Sequence, residues 1–169
     1  MNGRFEAPPG RWARVTEERK TYLLAVQSAL ADECVGGNRV YHGLAGQFLL
    51  RELPFVLRVR LIAPMEMRVR ALIAEHHRMG RDAAEEFISH MDHDRRRWVK
   101  ALYGADVEDP RLYDLTINLQ VISIETACET IAEAAASASY LISGEFRERL
   151  EAFAAFCRGQ LAQLAPRRS

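Results

Sequence analysis

The sequence contains only three cysteines in 169 residues, Cys34, Cys128 and Cys157, and no two of them form a CxxC pair. An odd, dispersed set excludes a disulfide framework and a zinc ribbon, and it leaves buried reduced thiols as the expectation. No run approaches the roughly 18 apolar residues of a membrane span, and Met1 to Gly10 carry no apolar signal-peptide core. Cytoplasmic residence without membrane contact is therefore expected. A net charge is also missing, since Lys plus Arg and Asp plus Glu both number 23. That balance provides neither an overall basic field for nucleic acid nor an acidic tail. Lysine is scarce, with Lys20 and Lys100 alone, and neither follows a glycine-rich run. The strings GxxxxGK[ST], GxGxxG and GxSxG are all absent, so the chain has no phosphate-cradling loop of its own, no dinucleotide fingerprint and no nucleophile elbow.

What is present is an ordinary globular composition, 49% apolar and 27% charged, with enough residues for one domain spanning 1–169. Apolar spacing at Trp12, Val15, Tyr22, Val26, Ala29 and Leu30 predicts a helix to about Cys34, stopped by Gly36-Gly37-Asn38. Arg39 to Gly43 reads as a short strand and Leu44 to Leu53 as a short helix. Phe55 to Ala63 (FVLRVRLIA) is the best strand, closed by Pro64. Helices are predicted over Met65–Arg78 and Arg81–Tyr103, the second with a stripe of Ala84, Phe87, Ile88, Met91, Trp98, Val99 and Leu102. Asp114–Asn118 is a third strand. Ser123 is placed to cap a helix from Ile124 to about Leu141, and a last helix uses Phe146, Leu150, Phe153, Cys157, Leu161 and Leu164. Strands separated by helices imply an α/β fold, a small parallel sheet of about three strands flanked by helices.

Several residues stand out chemically. Arg95 interrupts the stripe of the long helix, three residues after Asp92. The pair is either an ion pair at the core edge or a cation held ready for an anion. Arg96 and Arg97 extend the run toward solvent. Arg58 and Arg60 share one face of a strand, which requires an exposed face or acidic neighbours. Arg60 is also nearer the strand end, where α/β sheets bind ligands. His42-Gly43 ends a strand, as a ligand contact or as a plain turn. His76-His77 and His90-x-x-His93 invite a metal, but no HExxH or Cys/His framework accompanies them, and no metal site is assigned.

Four segments together resemble the cytidylate-kinase-like family of P-loop kinases over roughly residues 38–135. They are NRVYHGLAGQFLL, VLRVRLIAPMEMRVRAL with its Glu66-x-Arg68 element, MDHDRRRWVKALYG with Asp92-x-x-Arg95, and DPRLYDLTINLQVISIETACETI. The last, of the form YDLxINxxxxSIExA, is the most specific. The resemblance implies a truncated P-loop-kinase-like three-layer fold and phosphoryl transfer from ATP to a nucleoside monophosphate. It also implies a nucleotide or phosphate site at Arg95, Asp92, Arg68, Arg60, His42 and Gly43, with Asp92 orienting Arg95.

The departure from the family is the missing phosphate-binding loop, together with the opening strand that carries it. The expectation is a chain that is not catalytic alone, with no cofactor by itself and with ATP and Mg if an upstream P-loop is supplied. The missing strand belongs between those resembling Val40–His42 and Val56–Ile62, so a gap must be closed. The expected solutions are direct pairing of the two strands, a strand supplied by a second copy in a homo-oligomer or by a partner chain, or a native upstream segment that this sequence lacks. The alternative to a nucleotide-binding role is a non-catalytic oligomerisation or regulatory protein-binding module.

Overall fold

A computed structural model describes residues 17–43, 45–53, 55–76, 79–137 and 144–164. The element order is α1 (Glu17–Val35), α2 (Gly46–Leu49), β1 (Val59–Ile62), α3 (Met65–Glu75), α4 (Arg81–Tyr103), a 3-10 turn at Pro110–Leu112, β2 (Leu115–Asn118), α5 (Ile124–Ala135) and α6 (Gly144–Leu164). The result is a helix-rich α/β fold with a small parallel sheet flanked by helices. Residues 1–56 and 141–169 form one compact unit and residues 57–140 another.

In the first unit α1 packs on α6. Its core is Ala31, Leu50, Leu53, Leu150, Phe153, Ala154 and Cys157, with Phe55 and Phe146 against it. The α6 stripe is the expected one. The α1 face is not. Tyr22 is 65% exposed, whereas Leu23, Leu24, Gln27, Ser28 and Ala31 are buried. The buried face includes two polar residues, so apolar periodicity selected a face rotated by about one residue. Burying Gln27 is tolerated because its Nε2 donates to the Leu49 carbonyl at 2.7 Å. Trp12 and Val15 lie outside the described residues. Gly37 (φ 67°) and Asn38 (φ 51°) take the left-handed conformation that ends α1.

The expected strand at Arg39–Gly43 does not form. Among the described residues these positions join no sheet, and Val40 is 98% exposed. Outside a ladder, strand-like composition alone does not make a strand. Among the described residues the sheet therefore has two strands.

In the second unit β1 and β2 pair in parallel, Val59 with Leu115 through Ile62 with Asn118. Arg58 O accepts from Asp114 N and Leu115 N, and Ile62 O accepts from Leu119 N. In a parallel ladder the backbone groups of Val59 and Leu61 then face away from β2. Among the described residues no strand takes that edge, and Leu61 and Ile62 remain 54% and 36% exposed. Helices α3 and α4 enclose a small cluster of Val69, Ala84 and Ile88. Helix α4 has the expected limits, but Phe87 and Met91 of its stripe are exposed, while Ala84, Ile88, Val99 and Leu102 are buried. Gly104 (φ 64°) ends α4, and Ser123 caps α5 by accepting from Thr126 N at 3.1 Å.

Of the cysteines, Cys157 is buried and Cys34 half-buried, but Cys128 is exposed on α5, against expectation. Among the described residues no helix is long and apolar enough to cross a membrane.

Candidate functional site

The arginines of the second unit that bear on the site come from the β1 segment, α3 and α4. Pro64, which cannot donate a hydrogen bond, sits at the start of α3, and the helix then presents Glu66 and Arg68 in its first turns. Arg68 grips Asp92 of α4 through two parallel hydrogen bonds, Nη1 to Oδ2 at 2.6 Å and Nη2 to Oδ1 at 2.8 Å. This fork-on-fork geometry is the strong form of the guanidinium–carboxylate contact. The Arg68 side chain is 35% exposed and Asp92 22%, so the pair is only partly screened by water. The two hydrogen bonds from Arg68 hold the Asp92 carboxyl below its usual range, and the charges of Arg95 and Arg96 add to the effect.

The partner of Asp92 is thus Arg68 on another helix, not Arg95 three residues along its own. Arg95 is exposed, and among the described residues it makes no ion pair. It lies near enough to act electrostatically on both Asp92 and Tyr113. Glu66, the other half of the Glu-x-Arg element, binds Arg81 at the start of α4, with Nη1 to Oε1 at 3.0 Å, and Arg70 at 3.8 Å. The element therefore ties α3 to α4 at two points.

Arg58, just before β1, and Arg60, on it, both find acceptors. Arg58 pairs with Asp114 at 3.5 Å, and its backbone N–H donates to the same carboxylate at 2.7 Å. The acidic neighbour expected of arginines on one strand face is present for Arg58. Arg60 donates to the Glu108 backbone carbonyl at 2.9 Å and lies over the Tyr113 ring, 5.6 Å from its centroid. Tyr113 donates its hydroxyl to Val107 O at 2.7 Å. Burial pushes that hydroxyl's pKa up, while Arg60 and Arg95 pull it down. Arg96 pairs with Glu108 at 3.3 Å instead of standing free in solvent.

Arg60, Arg68, Asp92 and Arg95 therefore belong to one neighbourhood built from β1, α3 and α4. Arg60 and Arg95 make no ion pair among the described residues, although the charges of Asp106 and Glu108 act on Tyr113 beside theirs. Chemically the neighbourhood can receive an anion, with a planar fork at Arg68 suited to phosphate or carboxylate. His42 and Gly43 lie in the first unit, in an irregular stretch. The Tyr41 ring packs so closely on Gly43 that a Cβ there would meet its hydroxyl at 2.5 Å, so a larger residue would have to displace that ring.

Sequence reasoning passed over Tyr113, Glu108 and Asp114. Tyr113 and Asp114 stand inside the YDLTIN segment, but nothing in its spacing points to Arg60 or Arg58. The histidines add little. His90 Nε2 lies 3.4 Å from Asp94, and among the described residues no three His, Cys, Asp or Glu side chains converge as metal ligands would.

Comparison with known proteins bears on this geometry. The profile of the cytidylate kinase-like family matches residues 3–121. A cytidylate kinase of Desulfurococcus amylolyticus is 32% identical over 76 residues, which is 44% of this chain and 40% of that protein. The chain thus matches less than half the length of that curated relative. No solved structure matches.

Proposed function

The chain belongs to the cytidylate kinase-like family, and from that premise we propose that its second unit is the acceptor and lid side of a nucleoside monophosphate kinase site. Arg68 and Arg95 receive the phosphates of a CMP-like nucleotide, Asp92 occupies Arg68 when no nucleotide is bound, and Arg60 contributes field from the strand. His42 and Gly43 are assigned to the acceptor nucleotide on the family pattern. The sequence holds no GxxxxGK[ST] string, so these residues do not transfer a phosphoryl group by themselves. Transfer requires a phosphate-binding loop, with ATP and Mg, from outside this chain, and we place the reaction in the cytoplasm.

The observation that carries the reading is the Arg68 fork on Asp92, with Arg95 near enough to act on Asp92 and, together with Arg60, on Tyr113. Phosphoryl-transfer sites act mainly by positioning and charge neutralisation, and clustered guanidinium groups supply both. Calorimetric titration with CMP, CDP and ATP to millimolar concentration tests it. Binding that weakens at least tenfold in Arg95→Ala is expected, and no binding of any nucleotide contradicts it.

One observation favours a second reading, a module that associates with itself or with a partner chain. The edge of β1 that faces away from β2 has no partner among the described residues, and its apolar Leu61 and Ile62 are exposed. Such an edge is a template for strand addition. Light scattering that returns a monodisperse monomer without nucleotide dependence of mass counts against it.

A further inference from the structure

We propose that the Arg68–Asp92 pair is an anion-exchange latch. A phosphate group arriving at Arg68 displaces the Asp92 carboxylate, Asp92 passes to Arg96 on its own helix, and the tie between α3 and α4 at that point opens. This rests on the reading that Arg68 and Arg95 take phosphate.

Three features of the pair support exchange. First, Arg68 presents the same fork to a carboxylate or a phosphate, and both its Nη atoms are already spent on Asp92. A phosphate cannot take the fork in the same manner while Asp92 keeps it. The incoming group carries more negative charge than the carboxylate it replaces, and Arg95, with no ion pair among the described residues, adds a second cation for it. Second, a replacement partner stands ready. Arg96 follows Asp92 by four residues, the favourable acid-before-base order on a helix. Its present contact, Glu108 at 3.3 Å, joins side chains that are 50% and 54% exposed and is weakly held. Arg96 already acts on the Asp92 carboxyl electrostatically. Third, release at Asp92 does not undo the hairpin, because Glu66 still binds Arg81 and the Val69, Ala84 and Ile88 cluster remains. The device loosens one of two ties. In the absence of anion it holds α4 against α3, and it makes lid mobility depend on phosphate.

A latch that is mostly closed lowers apparent affinity by the fraction of molecules that are open. Removing the competing carboxylate therefore tightens binding. Inorganic pyrophosphate and CMP are titrated into the full chain and into Asp92→Asn, Asp92→Asn/Arg68→Ala and Arg96→Gln. Asp92→Asn is expected to bind pyrophosphate about tenfold tighter, the factor for a latch open about one-tenth of the time. The double variant is expected to lose that gain, and Arg96→Gln to bind several-fold more weakly than wild type. If wild type binds and Asp92→Asn binds no tighter, the latch is overturned while the nucleotide reading stands. If neither binds, both are overturned. Should Asp92→Asn fail to fold, wild type alone decides by NMR. The Arg68 Nε–H and Asp92 carboxyl-carbon signals are expected to shift together along one binding curve. Movement of Arg68 with Asp92 unmoved overturns the latch.

Discussion

The two units of this chain are held together in different ways. The first is an apolar clasp, with α1 and α6 closing over Ala31, Leu53, Leu150, Phe153 and Cys157, each at most 1% exposed. The second has a smaller cluster around Val69, Ala84 and Ile88, and its helices are joined by charge, Arg68 to Asp92 and Glu66 to Arg81. Apolar burial is non-directional and offers no charge for an anion to contest. Charge pairs keep side chains that an anion can contest. The difference locates stability mainly in the first unit and chemistry in the second.

The contrast breaks first at Phe153. Truncating this buried ring to alanine removes the largest fully buried side chain of the clasp, and it is expected to cost about 3–5 kcal/mol in urea unfolding. A loss below about 1 kcal/mol contradicts an apolar origin for that unit's stability. Arg68→Ala is next. It strands Asp92 without its bidentate partner and is expected to cost about 1–2 kcal/mol. Part of that cost is lost in high salt, because the pair is partly exposed. The Phe153 effect is expected to be insensitive to salt, so comparing the two variants at two ionic strengths sharpens the comparison.

Asp92 also imposes a pH signature. Its carboxyl titrates below the ordinary carboxylate range in the folded protein, chiefly through Arg68. A depressed folded value means that its stabilisation is complete above the unfolded value of about 4. It is lost as pH falls through the lower folded value. Wild type is expected to lose stability faster than Asp92→Asn on acidification below about pH 4, and parallel profiles contradict the assignment. The smallest expected effect is that of Arg95→Ala on stability, within about 0.5 kcal/mol, since Arg95 is exposed and makes no ion pair among the described residues. A larger loss would make Arg95 structural.

Much of this was legible in the sequence because it is local. The limits of α4, the Ser123 cap, the αL stop after Cys34 and the Leu150, Phe153, Cys157 stripe depend on neighbours within a few residues. The YDLTIN segment also marked β2 and the family. What escaped depends on distant partners. The buried face of α1 carries Gln27 and Ser28, tolerable only once Leu49 supplies a carbonyl. Arg39–Gly43 has strand composition, but a strand exists only with a neighbour. Asp92 has an arginine three residues away in sequence, yet it pairs with one 24 residues back, because α3 brings a planar fork to it at hydrogen-bonding distance. Arg68, Asp92 and Arg95 were named from motifs, and Arg60 from its place on a strand. Tyr113, which lies beside Arg60 and Arg95, has no spacing signal linking it to either.

The central claim is that the charge-joined unit receives the phosphates of a nucleotide. An NMR titration of the full chain with CMP, following the arginine Nε–H signals, tests it most directly. The account predicts saturable shifts at Arg60, Arg68 and Arg95 by millimolar CMP, abolished for the cluster by Arg68→Ala/Arg95→Ala. Unmoved signals at all three arginines, or shifts unchanged in that double variant, would contradict it.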